Sequence, residues 1–372
     1  MKPYDNKHVF LVSNTDVFSP LYLDALLYKV NIPPESICVV YFKSNTSVVD
    51  EPNKIDGIKY ISFFDADKSI FISAKTITYF SLSTLNSLYV RKVLELDSSI
   101  KDKCYMFITD DEVDRWLKCI VQHGYIKPDD KLMISDNDVW VLGQQQLFIT
   151  VESTFRNKLN QVLGRENYQI VDSSVVFDTL PTKSAQGLAL SIFDDEKNKR
   201  NMVLLGTKPN AFEYQDIKKM LHAFVTRGVN KDFKFVVMWP AKQWRKRILL
   251  DLYLFYLHKV KKQPIDISIL TSLPPLAYTS MVMSCTHLVL QPRGGASTAR
   301  QLMKWGQGKV CVAKGSYNEL FFKDAQSIDL VSFASFSELA ENLNEQIDIK
   351  GNAFKINAEE QRSLSVLAKL YS

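Results

Sequence analysis

CTHLVLQPRGGASTARQLMKWGQGKVCVAKGSYNEL, running from Cys285 to Leu320, decides the fold. His287 to Gln291 (HLVLQ) is a short apolar run of β-leaning residues, and Gly294-Gly295-Ala296-Ser297-Thr298 is a glycine turn ending in hydroxyl residues. Ala299 to Trp305 (ARQLMKW) has helical spacing, and after Gly306 and Gly308 the segment Lys309 to Ala313 (KVCVA) reads as a second buried strand. Strand, small-residue turn, helix and strand in that order form one βαβ unit. The turn leaves the carboxyl end of the first strand, where backbone N–H groups and the positive end of a helix dipole converge on anions. With only 13 glycines in 372 residues, each glycine cluster is informative.

The same grammar extends outward. Upstream in this half, Asn201 to Leu205 is a strand closed by Gly206-Thr207, Ala211 to Val225 a helix, and Phe233 to Met238 a strand closed by Trp239-Pro240. Arg247 to Val260 reads as a helix, Ile265 to Leu270 as a strand and Leu276 to Met283 as a short helix. Downstream come a short strand at Asp329 to Phe333 and closing helices at Phe336 to Asn344 and Ala358 to Tyr371. The N-terminal half opens in the same way: His8 to Ser13 and Ser36 to Phe42 are continuous apolar strands around a helix at Pro20 to Val30, with a further strand at Lys59 to Phe64. Thr78 to Leu96 reads as a long helix, Lys103 to Ile108 as a buried strand, Val113 to Val121 as a helix, Lys131 to Ile134 and Asp138 to Gly143 as strands, and Thr154 to Leu163 as a helix. Continuous apolar strands imply parallel sheets covered on both faces.

A chain of 372 residues exceeds one ordinary core. The texture changes at Asp172 to Gly187, rich in small polar residues, and at Asp194 to Asn201, nearly all charged or amide. We therefore expect an α/β protein of two Rossmann-like doubly wound domains facing a cleft: residues 1–185, residues 186–350, and a C-terminal helix over 351–372 packing back on the first domain.

The net charge of +5 is too mild to indicate nucleic acid. The five cysteines (Cys38, Cys104, Cys119, Cys285, Cys311) lack paired spacing, and three lie in apolar runs, which fits buried thiols in a reducing compartment. The N-terminus has no long apolar stretch of the secretory type, and no run reaches the ~18 apolar residues of a membrane span. These features place the protein in the cytoplasm, with a peripheral position on the cytoplasmic membrane face as the variant reading. The five histidines have no metal-ligand spacing, and neither HExxH, CxxC nor a nucleophile elbow is present.

Five stretches carry candidate chemistry. In the turn Arg293, Gly294, Gly295, Ser297 and Thr298, glycines admit close approach of backbone to phosphate, hydroxyls donate, and Arg293 adds a charged fork; the bland alternative is a capped helix start. Gly206, Thr207 and Lys208 could supply donors to the same ligand, or form an ordinary βα turn. Tyr317-Asn318-Glu319 offers a carboxylate for ribose hydroxyls, or the solvated start of a helix. Thr109-Asp110-Asp111-Glu112 ends a buried strand, and one of these acids could deprotonate an acceptor hydroxyl; the alternative is an acidic first turn favoured by the helix dipole. Asp136 and Asp138 form a weaker cluster with the same two readings. Lys242, Arg245, Lys246 and Arg247 precede an apolar helical stretch followed by His258, Lys259, Lys261 and Lys262, a pattern that fits either an anionic lipid surface or a core helix with solvated ends.

Taken together, the two halves and the Cys285 to Leu320 stretch resemble the GT-B glycosyltransferases. The second half is similar to the bacterial transferases that move 4-acetamido-4,6-dideoxygalactose (Fuc4NAc) from a TDP-sugar to a lipid-linked acceptor. The segments that carry the likeness are NMVLLGTKPN, VVMWPAKQW, YTSMVMSCTHLVL and RGGASTARQLMKWGQGKVCV, within roughly residues 200 to 325. The resemblance implies that the C-terminal half binds a nucleotide-sugar donor and the N-terminal half a glycan or lipid-linked acceptor of surface-polysaccharide synthesis, such as lipopolysaccharide or capsule. It places Gly206 and Thr207 near the diphosphate, Gly294, Gly295, Ser297 and Thr298 on its phosphates, and Glu319 at the ribose. It implies no bound metal and no cofactor beyond the donor substrate. A Glu-x7-Glu pattern is not cleanly present around Glu319. A second resemblance, to GT-B-like sialyltransferases using a CMP-sugar, rests on Asp110-Asp111-Glu112 and Ser297-Thr298, but Trp239-Pro240 stands where that group has His-Pro. The expected activity is glycosyl transfer, with Asp110 or Asp111 as the acceptor base. The rival readings are a nucleotide-sugar epimerase and a non-catalytic two-domain binding protein.

Overall fold

Val9 and Leu11 of the first strand enter one apolar core while Phe10 and Val12 enter another on the opposite face. That alternation, with all four side chains buried, is what a central parallel strand requires. The computed structural model describes residues 6–16, 18–43, 51–109, 111–173, 187, 201–271, 273–305, 308–324 and 326–372. The chain divides into two compact units, Met1–Phe177 together with Glu360–Ser372, and Asp178–Glu359. The division falls eight residues before the expected boundary, and the last thirteen residues join the first unit.

The first unit holds β1 (His8–Ser13), β2 (Ile37–Phe42), β3 (Lys59–Ser62), β4 (Thr76–Phe80), β5 (Cys104–Phe107), β6 (Leu147–Thr150) and β7 (Gln169–Asp172), in the order β3-β2-β1-β4-β5-β6-β7. All pairings are parallel, with His8 opposite both Ile37 and Thr76. Its helices are α1 (Phe18–Ala25), α2 (Lys68–Ile72), α3 (Ser87–Leu94), α4 (Asp111–His123), α5 (Asp136–Gln144) and α6 (Glu152–Leu163).

Three sequence expectations fail here. Thr78 to Leu96 is not one helix: Thr76–Phe80 is β4, held between β1 and β5, and α3 starts only at Ser87. The β-branched and aromatic run TITYF is fully buried, which outweighs the leucine spacing that follows it. Asp138 to Gly143 is helical, not a strand, because Ser135 and Asp138 form a reciprocal capping box that starts α5. Lys131–Ile134 is likewise not a strand but a single tight turn entered at Asp129.

The second unit holds β8 (Asn201–Leu205), β9 (Phe233–Met238), β10 (Asp266–Leu270), β11 (His287–Val289), β12 (Lys309–Ala313) and β13 (Val331–Phe333), all parallel, in the order β10-β9-β8-β11-β12-β13. Renumbered within the unit this is 3-2-1-4-5-6, the doubly wound nucleotide-fold order. Val203 and Leu205 face one core, Met202 and Leu204 the other. The helices are α7 (Tyr214–Thr226), α8 (Trp244–Phe255), α9 (Pro275–Ser284), α10 (Ala296–Lys304), the single turn α11 (Tyr317–Glu319) and α12 (Phe336–Asn342).

A last helix, α13 (Ile349–Leu370), belongs to both units. Its first half docks on the second unit, where Asn352 accepts from the Asp329 N–H (2.8 Å) and donates to the Asp329 carbonyl (2.7 Å). Its second half pairs Glu360 with Lys29 at 2.7 Å and Arg362 with Asp172 at 2.8 Å, and sends Leu364, Leu367 and the following Tyr371 into the first unit's core.

All five cysteines are buried, unpaired thiols. His287, at the start of β11, is also buried; its Nε2–H donates to the Leu343 carbonyl at 2.7 Å. Burial lowers its pKa from 6.5 to about 4, with the Leu343 hydrogen bond opposing and the Lys309 charge adding to the shift. The unfolded chain therefore takes up a proton between pH 6.5 and about 4 that the folded unit refuses, and stability falls as pH falls through that window. The loss should reach on the order of 3 kcal/mol at its lower end. Denaturant melts of the protein and of His287→Gln across the window check this: the variant should show a flatter acid slope.

Candidate functional site

The chain passes from β8 to β9 and β10 on one side of the sheet, then returns to β11 on the other side of β8. The loops leaving β8 and β11 therefore diverge, and a crevice opens above the adjacent carboxyl ends. The candidate residues of the second unit gather around this switch point.

Gly206 follows β8 with φ +78°, and its N–H donates to the Val289 carbonyl of β11 at 2.9 Å. A Cβ there would lie 2.3 Å from the Ala211 Cβ, so only glycine fits. Thr207, buried, is held from three directions: Gln291 Nε2 donates to its hydroxyl at 3.1 Å, its N–H lies 3.4 Å from Gln291 Oε1, and the Tyr278 hydroxyl donates to its carbonyl at 2.7 Å. The Tyr278 hydroxyl also sits 3.1 Å from the Thr298 hydroxyl.

Gly294 and Gly295 are both left-handed, at φ +82° and +83°. Gly295 is the N-cap of α10 and brings no side chain of its own to that helix start. A Cβ on Gly295 would come within 2.7 Å of the Thr207 hydroxyl oxygen and 2.8 Å of its methyl, so the two loops touch backbone to side chain. Asn318, fully buried, ties the turn from below: its Nδ2 donates to the carbonyls of Gln291 (2.7 Å) and Gly294 (3.0 Å). Its Oδ1 is buried without a hydrogen-bond partner among the described residues. Such an atom calls for an account, and a ligand donor is one.

The expected phosphate residues thus divide. Gly206, Thr207, Gly294, Gly295 and Thr298 come together, with the Thr298 hydroxyl turned to Tyr278. Ser297 is exposed in the first turn of α10. The Arg293 guanidinium lies over the Tyr317 ring at 5.6 Å. Glu319 accepts from the Gly315 N–H at 2.6 Å, and the neighbouring Ser332 hydroxyl and this N–H hold its carboxyl below the usual range. Its carboxylate is taken up by the turn of its own chain. Gln291 and Tyr278 were not anticipated as members of the site, and Asn318 lay in a candidate stretch read for the Glu319 carboxylate.

In the first unit the order reverses between β1 and β4. Asp16, just beyond β1, accepts from the Phe18 N–H at 2.8 Å and the Ser19 N–H at 3.4 Å, and burial raises its pKa against those bonds. Nothing in the sequence singled it out. Of the acidic run after β5, Asp110 lies outside the described residues. Asp111 is exposed as the first residue of α4. Glu112 is wholly buried: its carboxylate accepts from the Thr109 N–H (2.8 Å) and hydroxyl (2.9 Å), and burial raises its pKa. Asp138 is buried in its capping box with Ser135, and Asp136 sits in the first turn of α5.

No protein-family model matches the chain. No curated protein matches it either. Solved structures do. An α,α-trehalose-phosphate synthase (UDP-forming) from Burkholderia xenovorans superposes with TM-score 0.60 at 10% identity, covering 98% of this chain and 97% of that one. The α,α-trehalose 6-phosphate synthase of Burkholderia multivorans gives 0.59 at 10% identity over 98% and 95%. A UGT protein of Medicago truncatula complexed with UDP-glucose gives 0.55 at 9% identity over 99% of both chains. At such identities the likeness speaks for the fold: two parallel-sheet, Rossmann-like units of the GT-B class.

Proposed function

We propose that this protein is a glycosyltransferase that moves a sugar from a nucleotide-activated donor to a glycan or lipid-linked acceptor, with the donor diphosphate at the β8–β11 switch point. The observation that carries the reading is the close approach of Gly295 to Thr207 at the glycine-started N-terminus of α10. Two left-handed glycines, the second the N-cap of α10, let phosphate oxygens approach the backbone N–H groups of the helix start, and the helix dipole favours the anion. The solved structures of the same fold include UDP-forming synthases and a complex with UDP-glucose, which supports a nucleoside diphosphate as the leaving group. The partnerless Asn318 Oδ1 would accept a donor hydroxyl or N–H.

In this mechanism a carboxylate takes the acceptor hydroxyl proton. The acceptor oxygen bonds to the anomeric carbon as the bond from that carbon to the donor phosphate breaks. The nucleoside diphosphate leaves with its charge met by the α10 N-terminus and Arg293. Asp111 and Asp110 remain our candidate bases on sequence grounds. Asp16 joins them because its place at the β1–β4 switch point and its raised pKa suit a proton acceptor. Among donors and acceptors, the resemblance of the second half favours a TDP-sugar and a lipid-linked intermediate of bacterial surface polysaccharide.

Calorimetry with UDP, TDP, GDP and CMP compounds should show one class binding the intact protein. Asp16→Asn or Asp111→Asn should keep that affinity and lose turnover. Lack of binding by all four classes would sink the proposal. Unchanged turnover in both variants would remove both as base, and product formation without any acceptor would make the protein an epimerase.

A further inference from the structure

Helix α8 and the π-helical turn Tyr256–Val260 that prolongs it are anchored by one flank only. Leu250 and Leu257 are buried, and Tyr253 and Leu254 pack half-buried on the core. The opposite flank is apolar and bare. Trp244, Ile248, Leu252 and Phe255 stand at i, i+4, i+8 and i+11 with 59%, 49%, 60% and 60% of their surface exposed, and Leu249, Tyr256 and Val260 extend the stripe. Four turns of outward-facing apolar side chains span roughly 25 Å. A soluble surface rarely carries so long a patch without using it.

The charge around the stripe names the occupant. Lys242 to Lys262 contains seven Lys or Arg and one Asp, more net positive charge than the +5 of the whole chain. Lys246 pairs with Glu213 at 3.1 Å and Arg247 with Asp251 at 3.0 Å, while Lys242, Arg245, Lys259, Lys261 and Lys262 are exposed. Arg245 lies 5.3 Å from the Trp244 ring centre and Lys261 5.9 Å from that of Tyr256, so a cation sits beside an aromatic ring at each end. A second copy seated on this face would bring two such cationic clusters together, at a repulsive cost. Anionic headgroups above an apolar layer match it: the stripe enters the headgroup–acyl boundary, the aromatic rings sit at the interface, and the long cationic side chains reach the phosphates. No helix among the described residues is long and apolar enough to cross a membrane, so the contact lies along the surface.

We propose that α8 and its π-helical extension dock the second unit on an anionic lipid bilayer. The proposal stands on this face and not on the nucleotide site. Flotation with vesicles of equal parts phosphatidylglycerol and phosphatidylcholine should carry the full-length protein, pure phosphatidylcholine vesicles should not, and added salt should weaken binding. The double variant Leu252→Glu/Phe255→Glu should lose about tenfold or more in vesicle affinity. Lys259→Glu/Lys262→Glu, which spares the apolar stripe, should lose several-fold. Both variants should keep the melting profile and nucleotide titration of the parent, which separates failure here from failure of the transferase reading. Absence of binding to the anionic vesicles, or equal binding by the parent and both variants, would overturn the proposal. So would a concentration-dependent dimer of the parent that the Leu252/Phe255 variant abolishes, which would give the face to a second copy.

Discussion

Tyr371→Ala should destabilise the first unit by about 3–5 kcal/mol, although the residue is the second to last of the chain. Its side chain is 2% exposed. The ring meets Phe10 at 5.7 Å and His8 edge-on at 5.3 Å, and the hydroxyl lies 2.9 Å from that of Thr78 and 3.1 Å from that of Tyr22. His8, Phe10 and Thr78 lie on the two central strands β1 and β4, so the end of the chain closes the middle of the sheet. Removing the ring leaves a cavity there and takes the Tyr371 hydroxyl away from those of Thr78 and Tyr22. Tyr371→Phe isolates the second effect and should cost about 1–2 kcal/mol. Because two units need not unfold together, hydrogen exchange resolved by strand is the measurement. Protection should fall in β1, β4 and β2 and persist in β8 and β11. Equal loss in both sheets, or none, would show that the C-terminal segment is not a structural member of the first unit.

That arrangement also shows what the sequence could express. Continuous apolar strands such as His8 to Ser13 and Asn201 to Leu205 announced two parallel sheets, because burial on both faces leaves no polar alternation to misread. Thr76–Phe80 was lost to the neighbouring leucines at 82, 85 and 88, whose spacing mimics a helix although the segment they share is split by a turn. Asp138 to Gly143 showed no decisive period, and the Ser135 capping box, a local signal, settled it. The glycine turn was legible because glycine is scarce and its conformational demand is local. Gln291 and Tyr278 were not, since each is an unremarkable residue in its own segment, and in Tyr317-Asn318-Glu319 the carboxylate drew the reading away from Asn318. Only the adjacency of β8 and β11 brings Gln291 onto Thr207, 84 residues away. The acidic run after β5 is divided by the fold. From sequence any one of its acids could be the acceptor base or part of an acidic first helical turn; the start of α4 turns Glu112 inward to Thr109 and leaves Asp111 exposed.

Gly295→Ala should lower nucleotide affinity about a hundredfold while Gly294→Ala lowers it only several-fold, and the contrast tests the site better than either value. Both glycines are left-handed, so each alanine incurs the same backbone penalty, about 1–2 kcal/mol. They differ in their surroundings. The nearest atom to a Cβ on Gly294 is Gln291 Nε2 at 3.6 Å, an ordinary contact, whereas a Cβ on Gly295 lies 2.7 Å from the Thr207 hydroxyl oxygen and 3.0 Å from Gln291 Nε2. Relief requires the loop after β8 and the start of α10 to part, which displaces the N–H groups proposed to hold the diphosphate. At 1.4 kcal/mol per tenfold, strain and displacement together need only reach about 3 kcal/mol. Titration of both variants with the nucleotide that binds the parent, alongside hydrogen exchange showing β8 and β11 still protected, makes the comparison. If the two alanines weaken binding equally, left-handed strain alone governs the turn and the contact with Thr207 is incidental. If neither does, the nucleotide lies elsewhere, and the Gly294–Gly295 turn is only the start of a helix.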